Sequence, residues 1–146
     1  MSITYCNPLD LSYRYQHFRE HGRLVSFREG ADPTLVLFKG TYYLFVSMSA
    51  GFWYSQDLLH WDFHTAPDLP IYEYAPDVRQ IGNFLYFCAT REDVPSPILR
   101  SADPLSEKFE PVSIPFPFAD PNLFWDEDGR VYLYGGCTNT DPIWGV

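Results

Sequence analysis

Basic charge, long apolar runs and paired cysteines are all scarce in this chain, and each shortage excludes a class of protein. Ten Lys and Arg against 19 Asp and Glu leave a net charge of -9. No basic surface is therefore on offer to a phosphate backbone, and no nucleic-acid partner is expected. No apolar stretch approaches the ~20 residues of a membrane helix, so no membrane association is expected. Met1 to Asp10 lacks a basic start followed by an apolar segment, which predicts a cytoplasmic location. Cys6, Cys88 and Cys137 have no metal-ligand spacing, and their odd number gives no disulfide framework. Cys88 and Cys137 lie in or beside apolar strand-like runs, where a buried free thiol is expected. No phosphate loop and no serine or cysteine nucleophile motif is present, and no cofactor or metal site is expected.

Aromatic residues, by contrast, are abundant at 18%: 11 Tyr, 12 Phe and 4 Trp. Aromatics favour pleated strands, and 13 Pro against 9 Gly oppose long helices, so the composition predicts an all-β chain. Aromatic faces also stack on sugar rings, although core packing is their plainer use.

An internal repeat organises the chain. Gly30-Ala31-Asp32-Pro33-Thr34-Leu35-Val36-Leu37-Phe38, Tyr74-Ala75-Pro76-Asp77-Val78-Arg79-Gln80-Ile81 and Phe118-Ala119-Asp120-Pro121-Asn122-Leu123-Phe124-Trp125 each set an aspartate at the mouth of a short apolar strand. Lys39-Gly40, Gly82-Asn83 and Asp128-Gly129 follow as tight hairpin turns. Second strands then run over 42–46, 84–88 and 131–134. The aspartates are spaced by 45 and then 43 residues, a period that fits a four-stranded propeller blade. Third and fourth strands are expected at 52–55 and 60–63 in the first unit, with a turn at 56–59 between them. In the second unit they are expected at 98–101 and 109–113, and a partial third strand at 142–146 closes the chain. The expected division is a lead-in at 1–29, blade one at 30–73, blade two at 74–117 and a partial blade three at 118–146. A β-sandwich also has many short strands, but it has no reason to repeat a whole four-strand unit.

First strands of propeller blades line the central channel, so Asp32, Asp77 and Asp120 are expected to converge on one funnel. Each aspartate taken singly could simply cap backbone N–H groups in a turn. Together they could hold a metal or do acid–base work on a glycosidic bond. In inverting hydrolysis one carboxylate activates water while a carboxylic acid ~6.5–9.5 Å away protonates the leaving oxygen. A further carboxylate beside the acid raises its pKa by like-charge repulsion.

Ala31-Asp32-Pro33 with Gly40-Thr41-Tyr42-Tyr43-Leu44, Tyr74-Ala75-Pro76-Asp77-Val78, and the run from Asp120-Pro121-Asn122 through Asp128-Gly129-Arg130-Val131-Tyr132-Leu133 together resemble glycoside hydrolase family 43. The resemblance covers residues 28–136, with a weaker lead-in over 7–15. It implies the N-terminal part of a five-bladed β-propeller, here about two and a half blades. It also implies hydrolysis with inversion of α-L-arabinofuranosides or β-D-xylosides in plant cell-wall polysaccharides. Asp32 would be the general base, and Asp120 the carboxylate that orients the general acid. That acid is a family glutamate on the fourth blade, expected beyond residue 146, so the fragment alone is expected to be inactive. Asp77 is implied to be structural or to line the substrate pocket. The start and the Arg-Asp-Pro triplet of the related invertases are absent. The alternative reading is a carbohydrate-binding or scaffold propeller piece without activity.

Phe52 and Trp53 open a third strand near the funnel, where they could stack on a sugar ring or pack in the core. Trp61 is expected in the blade core, and His17, His21, His60 and His64 as exposed turn histidines. Arg91 and Arg100 are assigned no role, and Asp126, Glu127 and Asp128 read as a solvated hairpin tip. The expected partners are an oligo- or polysaccharide substrate and, for bare blade faces, a second copy of the chain or the missing C-terminal blades.

Overall fold

The computed structural model describes residues 9, 11, 16–27, 30–66, 69, 74–90, 95–106 and 108–136; for 16–20, 24–27 and 74 it describes the backbone alone. The described residues are strands and turns with no helix. A hairpin of β1 (Gln16–Glu20) and β2 (Arg23–Phe27) comes first. His21 and Gly22 turn it, both at positive φ, in the mirror-image turn that suits the strand twist. This hairpin lies within the stretch expected as a lead-in.

Blade 1 is a four-stranded antiparallel sheet of β3 (Thr34–Phe38), β4 (Thr41–Phe45), β5 (Gly51–Ser55) and β6 (Asp62–Thr65), in chain order. Blade 2 repeats it with β7 (Tyr74–Ile81), β8 (Phe84–Thr90), β9 (Leu99–Ser101) and β10 (Glu110–Pro111). A third sheet pairs β11 (Asn122–Trp125) with β12 (Val131–Tyr134). First strands meet across blades, β3 against β7 and β7 against β11, so they form the inner edge of a partial β-propeller. The expected strand at 142–146 lies outside the described residues.

The turns follow from local chemistry. Lys39-Gly40 has positive φ at both residues, and Gly82 alone carries positive φ in the Gly82-Asn83 turn. The third connection is longer than the two-residue turn expected. Gly129 N donates to Asp126 O at 3.0 Å, and Gly129 then takes the left-handed place that ends a three-residue hairpin loop. The fourth strand of blade 1 starts two residues later than expected. The Asp57 carboxylate accepts from the backbone N–H groups of Leu59 and His60, at 2.9 and 2.8 Å, which keeps His60 in the turn. Gly51 is needed where β5 passes β6, because a Cβ there would meet His64 O at 2.2 Å.

The main core is the seam between blades 1 and 2. Phe38, Tyr43, Phe45 and Phe52 of blade 1 are buried there against Val78, Leu85, Phe87 and Leu99 of blade 2. Phe45 sits 4.8 Å from Phe52 and 5.8 Å from Phe87, within the range of favourable ring packing. The opposite face of blade 1 holds a smaller cluster of Leu44, Val46 and Trp53, covered in part by Leu11, Trp61 and Phe63. Trp61 thus packs at the blade core as expected. Cys88 is buried and free, and burial pushes its thiol well above the ordinary range; Cys6 and Cys137 lie outside the described residues.

Candidate active-site rim

Strand register corrects the phase of the repeat. Thr34 pairs with Phe45, Asp77 with Cys88 and Asn122 with Tyr134, so Thr34, Asp77 and Asn122 occupy one equivalent place. Two residues upstream stand Asp32, Ala75 and Asp120, each before a proline and each left-handed, at φ 51°, 52° and 44°. The spacings between these three are 43 and then 45 residues. Matching on aspartate alone shifts blade 2 by two residues. The shared feature is a left-handed residue before proline, which suits Asp better than Ala.

These three places lie at the same end of the inner strands and are tied from blade to blade. Ala75 N donates to Ser47 Oγ at 2.9 Å, and Asp120 N donates to Thr90 Oγ1 at 2.8 Å. Ser47 and Thr90 are themselves equivalent, two residues past the partners of Thr34 and Asp77. Gly136 takes that place in blade 3, and Gly136 N reaches Ala119 O as Ser47 N reaches Ala31 O. One pleat deeper, Thr34 Oγ1 donates to Pro76 O at 2.7 Å and Leu123 N donates to Asp77 Oδ2 at 2.7 Å.

Asp32 and Asp120 are exposed, whereas Asp77 is 4% exposed. Asp77 Oδ1 also stands 3.2 Å from an Arg79 nitrogen. Both of its oxygens are therefore engaged inside the blade 2–blade 3 seam. It serves as an inter-blade tie and has no free carboxylate for lining a substrate pocket. Phe52 and Trp53 do not reach a substrate surface either. They lie on β5, an interior strand of its sheet, and both faces of that sheet are covered at this point, leaving them 0% and 2% exposed. Sequence reasoning missed Ser47, whose only signal is its distance past the second strand.

Other candidates settle into structural places. His60 is an exposed turn residue whose Nδ1 is 2.7 Å from Asp57 Oδ2; this contact raises its pKa, and the turn hydrogen bonds hold Asp57 well below the carboxylate range. His64 is not a turn residue but lies on β6, 5.0 Å from the Phe52 ring. His21 is an exposed turn residue, while the side chain of His17 and all of Arg91 lie outside the described residues. Arg100 covers the Phe84 ring at 4.4 Å. The acidic hairpin tip is solvated as expected, with Asp128 Oδ1 accepting from Arg130 N at 2.8 Å. A concavity of about 280 Å³ between β7 and β11 is lined by Arg79, Gln80, Asn122, Leu123, Phe124 and Trp125, and includes neither Asp32 nor Asp120.

Neither a protein-family model nor a curated protein sequence matches the chain. Solved structures do. A bifunctional GH43-CE protein of Bacteroides eggerthii aligns over 75% of this chain and 19% of its own, at 16% identity and a TM-score of 0.59. The GH43 protein BlXynB of Bacillus licheniformis aligns over 90% and 29%, at 21% identity and 0.60. An exo-1,5-alpha-L-arabinanase from a bovine ruminal metagenomic library aligns over 74% and 47%, at 23% identity and 0.55. The chain spans between about a fifth and a half of the length of these proteins. With its sheets arranged blade against blade, the chain has part of the β-propeller fold found in glycoside hydrolase family 43 proteins.

Proposed function

We propose that this chain is the N-terminal part of a family 43 glycoside hydrolase that cleaves α-L-arabinofuranosides or β-D-xylosides of plant cell-wall polysaccharide with inversion. The observation that carries the reading is the pair Asp32 and Asp120, two exposed carboxylates at equivalent left-handed, pre-proline places on blades 1 and 3. Asp32 takes the proton of the attacking water. Asp120 orients the general acid and, as a neighbouring negative charge, favours its protonated form. The acid itself is a glutamate from a later blade, so these 146 residues alone are expected not to turn over substrate. The same later blades are the natural cover for apolar side chains exposed on blades 1 and 3, such as Leu35, Leu37 and Phe124.

In the complete polypeptide, Asp32→Asn is expected to lower kcat on a nitrophenyl arabinofuranoside or xyloside by ~10²–10⁴-fold with little change in KM. Turnover equal to wild type would remove the assigned role. A wild-type protein that binds arabino- or xylo-oligosaccharide without cleaving it would favour the non-catalytic reading.

A further inference from the structure

Resting on that reading of Asp32, we infer that Ser47 is the positioning residue that orients the base. Ser47 is fully buried, and its Oγ sits between two groups, Ala75 N at 2.9 Å and Asp32 Oδ2 at 3.0 Å. The amide can only donate, so it takes up an acceptor site of the hydroxyl. The single hydroxyl proton is thereby left to the carboxylate. The bond has one polarity: Ser47 donates to Asp32 Oδ2, which suits an ionised base. Among the described residues Asp32 Oδ1 accepts no hydrogen bond, and it is the oxygen left to receive the proton of water.

The repeat supplies an internal control for this inference. The equivalent hydroxyl of Thr90 makes the same backbone tie, to Asp120 N, but the place in blade 2 that would face it is Ala75, which has no carboxylate. The equivalent place in blade 3 is Gly136, where an added Cβ would stand 3.4 Å from Asp120 Oδ2. A serine there would reach the Asp120 carboxylate, and the glycine withholds that donor. Among the described residues, only the proposed base of the two exposed rim aspartates has a buried hydroxyl aimed at it. The other is left open to the group it is proposed to orient.

The test uses the complete polypeptide with nitrophenyl α-L-arabinofuranoside and β-D-xyloside. Ser47→Ala is expected to lower kcat by about 10- to 100-fold with KM changed less than about twofold, because a slightly misplaced base costs rate and not binding. Ser47→Thr keeps the hydroxyl, as Thr90 does in blade 2, and is expected to retain most of the wild-type kcat. Ser55→Ala removes another buried hydroxyl of blade 1, one that serves the Asp57 turn, and is expected to lower Tm without lowering kcat. A Ser47→Ala protein with wild-type kcat, or a Ser47→Thr protein as slow as Ser47→Ala, would overturn the inference. If the wild type cleaves neither substrate, the family reading fails and Ser47 is judged on crystal structures. A turned Asp32 carboxylate in Ser47→Ala then supports the positioning role, and an unchanged one overturns it.

Discussion

The two faces of blade 1 are built from alternate residues of the same strands, yet they have different fates. On one face Phe38 and Phe45 are 1% and 0% exposed against blade 2, while on the other Leu35 and Leu37 are 53% and 51% exposed. Blade 3 is covered less evenly: Leu123 is buried, but Trp125 and Val131 on its own face are exposed, as are Phe124 and Tyr134 on the other. Both faces of each blade are apolar, so a blade needs two neighbours. Among the described residues only the middle blade has a blade on either side, and the outer face of blade 1 is covered around Trp53 alone, by Leu11, Trp61 and Phe63. The difference lies in what covers each face and not in its composition.

Substitutions in the seams and on the outer faces sharpen or break that contrast. Phe45→Ala in the closed seam is expected to cost ~3–5 kcal/mol in urea unfolding, since Phe45 packs on Phe52, Phe87 and Phe109 in full burial. A loss no larger than that of Leu35→Ala would show that the seam is loosely packed. Asp77→Ala comes next. It strips Leu123 N of its acceptor and Arg79 of its ion pair, and about 1.5–3 kcal/mol should be lost by the same measurement. Unchanged stability would mean that water replaces the tie.

The smallest effect on folding is expected at the bare faces, where Leu37→Lys with Phe124→Lys should shift stability by no more than about 0.5 kcal/mol per site. Their effect is on association. Light scattering of the 146-residue chain should show self-association that these two changes abolish, and a wild-type monomer would refute face-to-face pairing.

Much of this architecture was legible because hairpin turns and aromatic second strands recur at blade spacing. Lys39-Gly40 and Gly82-Asn83 mark their turns by the φ angles they must adopt. Other features depend on through-space partners and leave no local signal. Asp77 resembles Asp32 in its Asp and Pro neighbours, but the order is reversed: Pro76 precedes Asp77, whereas Asp32 precedes Pro33. That reversal is the trace in sequence of a two-residue shift that carries one carboxylate from the rim into a seam. Phe52 and Trp53 could have faced a sugar or a core, and only the strands on either side of β5 decide between them. The β1–β2 hairpin leaves a weak trace in sequence because its His21-Gly22 turn is flanked by charged residues and not by an apolar alternation.

The ties between blades also decide when certain amide hydrogens can leave. Ala75, Asp120 and Leu123 donate their N–H groups across a seam, to side-chain oxygens of the preceding blade. Exchange with solvent deuterium at these three amides thus requires one blade to part from the next, whereas amides paired within the β1–β2 hairpin can open on their own. The three amides are therefore built-in reporters of blade separation, Ala75 for the first seam and Asp120 and Leu123 for the second. Their protection factors would rank the strengths of the two seams within a single molecule.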